Sequence, residues 1–284
     1  MARLLVTNHT PGRHGGVFLL ETGSGQIRRL SEVPARGVTR GPDGLYFVEN
    51  YGAVYRMHPE SWEVTRVGDT GLTWCHDFKY YHGEFVVVAS KGNRVVKLDE
   101  QFRPKDEIQI VKDPQDVCHA NCLEMVNGQM LLSIFTLAPG NREQKRGSHT
   151  WRHEGKILRL DWDRHDFEIV YEPLSQPHSL VWEQDRLFLC ESFTSRVCTL
   201  DLARKQREEL CSLNGFVRGL ALGTKSHFVG ISHKRAKARN PILRLIEKWQ
   251  SWCGVVEVDA KSWTPKQRFK MSGHQVYDLL LLEE

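Results

Sequence analysis

Short alternating stretches of apolar and polar residues recur along the whole chain. One such pattern, rich in β-branched residues and ending near an acidic or turn residue, occurs six times: GGVFLLE, GAVYRMH, NRVVKLD, GKILRLD, SRVCTLD and CGVVEVD. A second strand-like pattern that ends in polar residues accompanies these copies, as in GLYFVEN, EFVVVAS and RLFLCES. Alternation with a period of two predicts β-strands with one face buried. We therefore expect an all-β protein built from one repeated unit.

The spacing of the copies predicts a β-propeller. Between equivalent Val or Ile residues, three of the five intervals are about 40 residues, which is the length of a four-stranded propeller blade. The other two are about 20 residues longer and contain the segments 136–154 and 233–252. We interpret these segments as insertions into blades three and five of a single domain that covers residues 1–284, with both insertions over the channel mouth.

The two ends of the chain predict how the propeller closes. RLLVTNH at the N-terminus has the pattern of a second strand without a first, and HQVYDLLLLEE at the C-terminus that of an innermost strand with no blade after it. Together they complete one blade and leave no sheet edge open. The prediction is a six-bladed β-propeller closed by the N- and C-terminal strands in one blade, with an open β-sandwich as the alternative.

The two insertions differ in character. The first, TLAPGNREQKRGSHTWRHEG, is polar and without a period, which predicts a mobile loop. In the second, Asn240 is a plausible N-cap and Pro241 suits the first helical position, and apolar residues follow at helical spacing. This predicts a short amphipathic helix in blade five, over 240–252, that serves as a lid, a membrane-surface anchor or a homodimer contact.

The innermost strand of each blade should line one central channel. Aligned on the repeat, ARGV, CHDF, CHAN, PHSL, VRGL and VYDL place six side chains at one structural position: Arg36, His76, His119, His178, Arg218 and Tyr277. We call this set the channel ring. Three histidines in register favour either a divalent metal site for Zn, Mn or Fe, or a metal-free site in which the histidines and Tyr277 are catalytic acids and bases. A structural role for the histidines is the third alternative.

The two arginines of the channel ring indicate the charge of the substrate. A guanidinium presents a planar fork that suits a carboxylate, sulfate or phosphate, so Arg36 and Arg218 predict an anionic substrate group. The alternative is that they pair with the channel carboxylates of Asp77 and Asp278. Three further side chains on the same face are predicted to bind substrate: Asn121, Glu191 and Arg235.

Cys118 and Cys122 flank His119 and resemble part of a zinc knuckle. Because side chains alternate faces along a strand, we expect both cysteines to point into the packing between blades, with metal ligation as the alternative. The chain has seven cysteines, an odd number without paired C-x-x-C spacing, which does not fit a disulfide framework.

Charge and hydropathy limit the classes of partner. The formal net charge of +4 arises in the two insertions, so the basicity is local and argues against a surface that coats nucleic acid. The basic and aromatic stripe of such surfaces is also missing. No apolar run reaches the roughly 20 residues that span a bilayer, and the N-terminus lacks signal-peptide character. The expectation is a cytoplasmic protein with no membrane span and no nucleic-acid partner.

Several phrases, in the order QPHSLVWEQDRLFLCES, GFVRGLALG, FVGISHKR and WCGVVEVDAKS, resemble an uncharacterised family of bacterial six-bladed propellers carried as a domain of unknown function. The resemblance covers roughly residues 72–284 and implies the propeller fold. More distantly, the chain is similar to strictosidine synthase and gluconolactonase-type propellers, whose lactonases hold a divalent cation with Glu, Asn and Asp. Histidines at three inner positions are closer in kind to propeller lyases with a histidine-bound metal.

The leading functional hypothesis is a small-molecule enzyme, a lyase or hydrolase, that acts on a polar anionic substrate in the channel. The three histidines hold a divalent metal or share acid–base work, the arginines clamp the anion, and Tyr277 transfers a proton. The alternative is a non-catalytic propeller that binds a ligand or a partner protein.

Overall fold

The strand repeats form four-stranded antiparallel sheets. In the computed structural model, residues 1–10, 14–140, 142–145, 148–233 and 252–284 are described, and they form six such sheets. We number the sheets as blades one to six and give the strands from the innermost outward. Blade one contains β4 (Ala35–Gly41), β5 (Gly44–Glu49), β6 (Ala53–Met57) and β7 (Val64–Asp69). Blade two contains β8 (Cys75–Tyr81), β9 (Glu84–Ala89), β10 (Arg94–Leu98) and β11 (Pro104–Gln109).

The remaining blades follow the same order. Blade three contains β12 (Leu123–Val126), β13 (Gln129–Ile134), β14 (Gly155–Asp161) and β15 (Asp166–Leu174). Blade four contains β16 (Pro177–Glu183), β17 (Arg186–Glu191), β18 (Arg196–Asp201) and β19 (Gln206–Ser212). Blade five contains β20 (Phe216–Ala221), β21 (Ser226–Ser232), β22 (Gly254–Asp259) and β23 (Pro265–Lys270). Blade six contains β24 (Val276–Glu283), β1 (Arg3–Asn8), β2 (Gly16–Glu21) and β3 (Gln26–Ser31).

Blade six confirms the predicted closure. The C-terminal β24 pairs with the N-terminal β1 in antiparallel register, and Asp278 lies opposite Thr7. The Thr7 hydroxyl accepts from the Asp278 amide at 2.9 Å and donates to the Arg36 carbonyl of blade one at 2.6 Å. The six-bladed propeller is therefore confirmed, and its first and last strands are held to each other and to the next blade.

The hydrophobic core lies between neighbouring blades. One cluster joins blades two and three and includes the fully buried Val88, Ile108, Leu132 and Leu158. Each such side chain contributes about 1.5–3 kcal/mol when it is removed from water. Middle strands such as β5 and β9 are buried on both faces, whereas outermost strands such as β19 and β23 are largely exposed. The polar residues are therefore concentrated in the outermost strands.

Each of four innermost strands carries a β-bulge at its channel-ring residue. The register shifts fall between Ala35 and Val38 in β4, and the corresponding shifts in β8, β16 and β20 follow Cys75, His178 and Val217. A bulge re-aims side chains where it interrupts the ladder. At a bulge, the channel-ring side chain can therefore face the channel while the residue after it contacts the neighbouring blade.

The residues that follow the channel ring connect blades by hydrogen bonds. Asp77 Oδ2 accepts the Leu123 amide at 2.7 Å, and Ser179 Oγ accepts the Gly219 amide at 2.7 Å. Gly37 occupies the equivalent place in blade one, where an added Cβ would lie 2.3 Å from the Phe78 nitrogen. The glycine after Arg36 thus permits close approach of two blades.

Both insertions lie where the repeat spacing predicted, between β13 and β14 and between β21 and β22. The prediction of a loop in the first is incomplete, because it contains two short helices, α1 (Arg142–Lys145) and α2 (His149–His153). The N-cap Ser148 accepts from the Trp151 amide, and Trp151 itself is buried. Tertiary packing of one aromatic side chain stabilises a helix too short to be signalled by periodicity.

Arg235 and residues 240–251 of the predicted helix lie outside the described residues, so the lid, membrane-anchor and homodimer predictions remain predictions. The assignment of the whole chain to one domain also remains a prediction. Among the described helices, none is long and apolar enough to cross a bilayer. All seven cysteines are free thiols and five of them are buried, as expected for a chain without a disulfide framework.

Candidate functional site

A compact cluster forms where three members of the channel ring meet. The Tyr277 hydroxyl lies 2.7 Å from His76 Nδ1, and Arg218 Nη2 lies 3.5 Å from the same nitrogen. The Arg218 guanidinium carbon is 3.5 Å from the centroid of the Tyr277 ring, a cation–π contact. All three side chains are buried. The alignment of blades two, five and six from the sequence thus identified residues that contact one another.

Arg36 lies beside this cluster and contacts His9, the residue that directly follows β1. Arg36 Nη2 lies 3.4 Å from His9 Nε2, and Arg36 Nη1 donates to the Cys75 carbonyl at 3.1 Å. The Arg36 guanidinium lies 5.0 Å from the centroid of the Tyr277 ring. His9 Nδ1 lies 3.2 Å from the Pro34 carbonyl, so this nitrogen carries the proton and Nε2 accepts from Arg36. Two guanidiniums therefore flank one tyrosine ring.

His119 is placed by a loop rather than by a strand. The buried Asn93 accepts from the amides of Val117 and Cys118 at 2.7 and 3.0 Å, and its own amide donates to two carbonyls of the same loop. This arrangement brings Asp116 Oδ2 to 2.6 Å from His119 Nδ1. The His119 ring then lies edge-on to His76, with centroids 4.6 Å apart.

His178 lies on the other side of an aromatic ring. Phe135 contacts both His119 and His178, with ring centroids 4.5 and 5.2 Å away. His178 Nδ1 lies 3.0 Å from the Gln176 carbonyl and 2.7 Å from Ser192 Oγ. The Phe135 ring therefore separates His178 from the contact between His76 and His119.

The hydrogen bonds assign the tautomers of the three ring histidines. His119 and His178 each face an acceptor at Nδ1, the Asp116 carboxylate and the Gln176 carbonyl, so each carries its proton there. His76 Nδ1 faces a guanidinium N–H, which can only donate, so its proton is on Nε2. His76 consequently carries its proton on Nε2, whereas in His119 and His178 the lone pair is on Nε2.

These tautomers bear on the predicted metal. Binding of one ion through Nε2 of all three histidines needs a lone pair on His76 Nε2, where the assigned tautomer has a proton. Within the described residues, no group of three or more His, Cys, Asp or Glu side chains is arranged to hold a metal ion. A metal held by His76, His119 and His178 stays a prediction, and the geometry fits acid–base chemistry better.

Electrostatics hold two imidazoles of the site neutral. Burial, and then the positive charge of Arg36, lowers the pKa of His76 well below its usual value. Burial and Arg36 also lower the pKa of His9 to about 4. Both side chains are therefore uncharged at pH 7 and can accept a proton only from a strong donor or in concert with proton release.

Below the channel ring, the channel continues into a cavity of about 230 Å³. Its lining includes Asp77, Lys79, Glu124 and Asp278 together with leucine, valine and alanine side chains. Lys79 Nζ lies 3.7 and 3.5 Å from the carboxylates of Asp77 and Asp278. Although burial opposes its charge, Asp278 and Asp77 keep the pKa of Lys79 well above its usual value. These two aspartates therefore pair with a lysine, and no ion pair joins them to Arg218 among the described residues.

Other predicted site residues lie apart from the cluster. Glu191 is buried and pairs with Arg207 of β19 at 2.5 Å, and it also accepts from the Ser175 amide at 2.8 Å. Asn121 is buried and donates to the His119 carbonyl at 2.8 Å, so it contacts the loop that carries His119. Substrate binding by both remains a prediction.

The two cysteines beside His119 pack between blades, Cys118 fully buried and Cys122 half-buried, but on opposite sides of blade three. Cys118 packs with the cluster shared with blade two, and Cys122 packs against the cluster shared with blade four. The expected strict alternation fails because His119 has a positive φ of 49° and this segment is not a strand. Cys122 Sγ accepts from the Ser179 amide at 3.0 Å, which assigns this thiol a structural contact.

Sequence reasoning missed four residues of the site. Asp116 carried the signal of a carboxylate three residues before a histidine, and His9 is one of the polar residues that end the N-terminal strand pattern RLLVTNH. Phe135 and Trp151 carried no signal. Trp151, from α2, contacts both His119 and Phe135, with ring centroids 5.2 and 5.0 Å away, so the first insertion covers part of the site.

Comparisons with known proteins agree with this fold. The crystal structure of a nidogen/laminin complex contains a chain 12% identical to this one, with a TM-score of 0.66, over 98% of this chain and 97% of that chain. A luciferin-regenerating enzyme is also 12% identical, with a TM-score of 0.60, over 86% of this chain and 78% of that chain. These likenesses show the fold alone. No curated protein matches the sequence. The model of one family, described as the domain of unknown function DUF4915, matches residues 60–284, and the chain belongs to that family.

Proposed function

We propose that the channel ring binds a small anionic molecule, with a carboxylate as the leading class, and that the protein is a lyase or hydrolase working by acid–base chemistry. The observation that carries this proposal is Arg218. Its guanidinium is buried at 5% relative exposure, and among the described residues it forms no ion pair with a carboxylate. A buried cation without a counter-ion is costly, so a site that keeps one is suited to an anionic ligand.

The surroundings of Arg218 support the same interpretation. The Tyr277 ring face supplies a cation–π contact worth about 2 kcal/mol when desolvated, but it does not neutralise the charge. The second guanidinium, from Arg36, lies 5.0 Å from the centroid of the same ring and adds to the positive potential there. Two planar guanidinium forks beside one tyrosine ring match the geometry of a carboxylate or a phosphate.

Acid–base groups adjoin the proposed anion site. Tyr277 shares a 2.7 Å hydrogen bond with His76, and burial keeps that imidazole neutral. A hydroxyl next to a neutral imidazole can pass a proton in either direction during a reaction. One structural relative, the luciferin-regenerating enzyme, is itself named as an enzyme. At 12% identity this relative bears on the fold only, so the proposal depends on the site.

Binding of defined anions tests the proposal. Acetate, malate, citrate, phosphate and sulfate are screened for an increase in Tm, and the strongest is titrated by isothermal calorimetry into wild type and Arg218→Met. We expect one site per chain in wild type and at least a tenfold higher Kd in the variant, about 1.4 kcal/mol. Arg66→Gln, on the outer strand of blade one, is the matched control and keeps the wild-type Kd. Equal affinity in all three proteins contradicts the proposal, and binding without turnover favours the non-catalytic alternative.

A further inference from the structure

We infer that His119 and His76 form a complementary base and acid, that Asp116 positions the base, and that the reaction begins by removing a proton from the carbon beside a substrate carboxylate. This inference rests on the proposed function, because it takes the arginines to hold that carboxylate. It adds a positioning residue, Asp116, and assigns one direction of proton transfer to each histidine.

The hydrogen bonds place the proton on a different ring nitrogen in each of the two histidines. Asp116 Oδ2 accepts the Nδ1 proton of His119 at 2.6 Å, so the lone pair of this imidazole is on Nε2. A carboxylate behind an imidazole fixes its orientation and stabilises the imidazolium that forms when it takes a proton. In His76 the order is reversed, since Nδ1 accepts from Tyr277 and Nε2 donates. The two rings are 4.6 Å apart between centroids.

The enclosure of His119 strengthens its pairing with Asp116. Both side chains are buried, with relative exposures of 6% and 3%. Phe135 and Trp151 cover the His119 ring at centroid distances of 4.5 and 5.2 Å. In such a low-dielectric setting a hydrogen bond to a carboxylate is stronger than in water.

The proton transfers balance in one step. His119 Nε2 takes the proton from the carbon beside the carboxylate, and the C–H electron pair forms the C=C bond of an enediolate. The carboxylate oxygen that gains charge receives the Nε2 proton of His76, and His76 Nδ1 receives the hydroxyl proton of Tyr277. The resulting phenolate lies within 3.5 and 5.0 Å, ring centroid to guanidinium carbon, of Arg218 and Arg36. When the proton on His119 is replaced by a solvent proton before these transfers reverse, the substrate hydrogen is exchanged with solvent. Loss of a leaving group from the next carbon instead makes the reaction a lyase reaction.

The first test needs no substrate. Protein labelled with 15N in histidine is examined by long-range 1H–15N correlation NMR, which distinguishes the two tautomers. We expect His119 in the Nδ1–H form in wild type and in Asp116→Glu, and a loss of that form in Asp116→Asn. His76 should be in the Nε2–H form in all three proteins. An Nε2–H form of His119 in wild type, or an unchanged tautomer in Asp116→Asn, overturns the positioning role of Asp116.

The second test measures hydrogen exchange into acetate, malate and citrate in D₂O by 1H NMR. Wild type should exchange the hydrogen beside the carboxylate, and Asp116→Asn should do so about 10²- to 10⁴-fold more slowly with an unchanged Kd. Asp116→Glu should recover part of the rate. Calorimetric binding without exchange in wild type overturns the base assignment while the proposed anion site stands, and absence of binding together with the expected tautomers overturns the anion site alone.

Discussion

Replacement of Glu124 by Gln should stabilise the protein at high pH. Glu124 lies on β12 and lines the cavity below the channel ring. Burial raises the pKa of Glu124 from 4.5 to about 7, even though Lys79 acts in the opposite direction. The folded state therefore holds a proton that the unfolded state has already released between pH 4.5 and 7. Folding stability from this group is full below pH 4.5 and is lost as the pH rises through 7.

The size of the effect follows from the shift. Each unit of pKa difference corresponds to about 1.4 kcal/mol, so the ionised Glu124 costs up to about 3 kcal/mol of unfolding free energy at pH 8. Glutamine has the shape of the protonated acid and can still accept from the Met125 amide, a 3.0 Å bond in the wild type. We expect Glu124→Gln to exceed wild type by about 3 kcal/mol at pH 8 and to match it at pH 4.5.

Urea unfolding at a series of pH values, followed by circular dichroism, measures this difference. The matched control is Glu84→Gln, because a hydrogen bond from Lys105 lowers the pKa of Glu84 and its carboxylate is partly exposed. That variant should be neutral or lose up to about 1 kcal/mol at pH 8. A stability gap for Glu124→Gln that does not change with pH, or a less stable variant at pH 8, refutes the reasoning.

Three further predictions concern the channel ring and its supports. His9→Gln should flatten the acid side of the stability curve, because wild-type stability from His9 is full above pH 6.5 and falls by up to about 3 kcal/mol as the pH drops to 4, which urea titrations check. Gly37→Ala should lower the unfolding free energy by about 1–3 kcal/mol in the same assay, since its Cβ meets the backbone of the next blade. Mass-spectrometric metal analysis of untagged protein, beside a His76/His119/His178 triple alanine, decides the metal prediction: about one equivalent lost in the triple variant supports it, and equal content in both proteins contradicts it.

The fold was predictable because short segments of the sequence carry the pattern of the repeated strands. Strand alternation and the spacing of about 40 residues are properties of short segments, and the complementary ends then required a shared blade. The contact between His76, Arg218 and Tyr277 followed from alignment of blades, since equivalent residues of a closed propeller converge on one axis. These inferences needed no side-chain detail.

The parts that could not be predicted depend on departures from the regular strand. The positive φ of His119 sends Cys118 and Cys122 to opposite sides of the blade and brings Asp116 to His119. Asp77 and Asp278 form ion pairs with Lys79 and not with the arginines of the channel ring. Strand periodicity does not predict which cation a buried carboxylate will pair with. Bulges, loop anchors and ion pairs are tertiary events, so they override what alternation alone predicts.

The most direct test of the channel as an anion-binding site is a crystal structure with a bound brominated carboxylate. The anomalous signal of bromine locates the molecule without ambiguity. The account predicts its carboxylate within about 3 Å of the Arg218 guanidinium, at hydrogen-bonding distance, with the adjoining carbon facing His119. A carboxylate bound only on the outer surface of the blades, with Arg218 unchanged, would contradict the account.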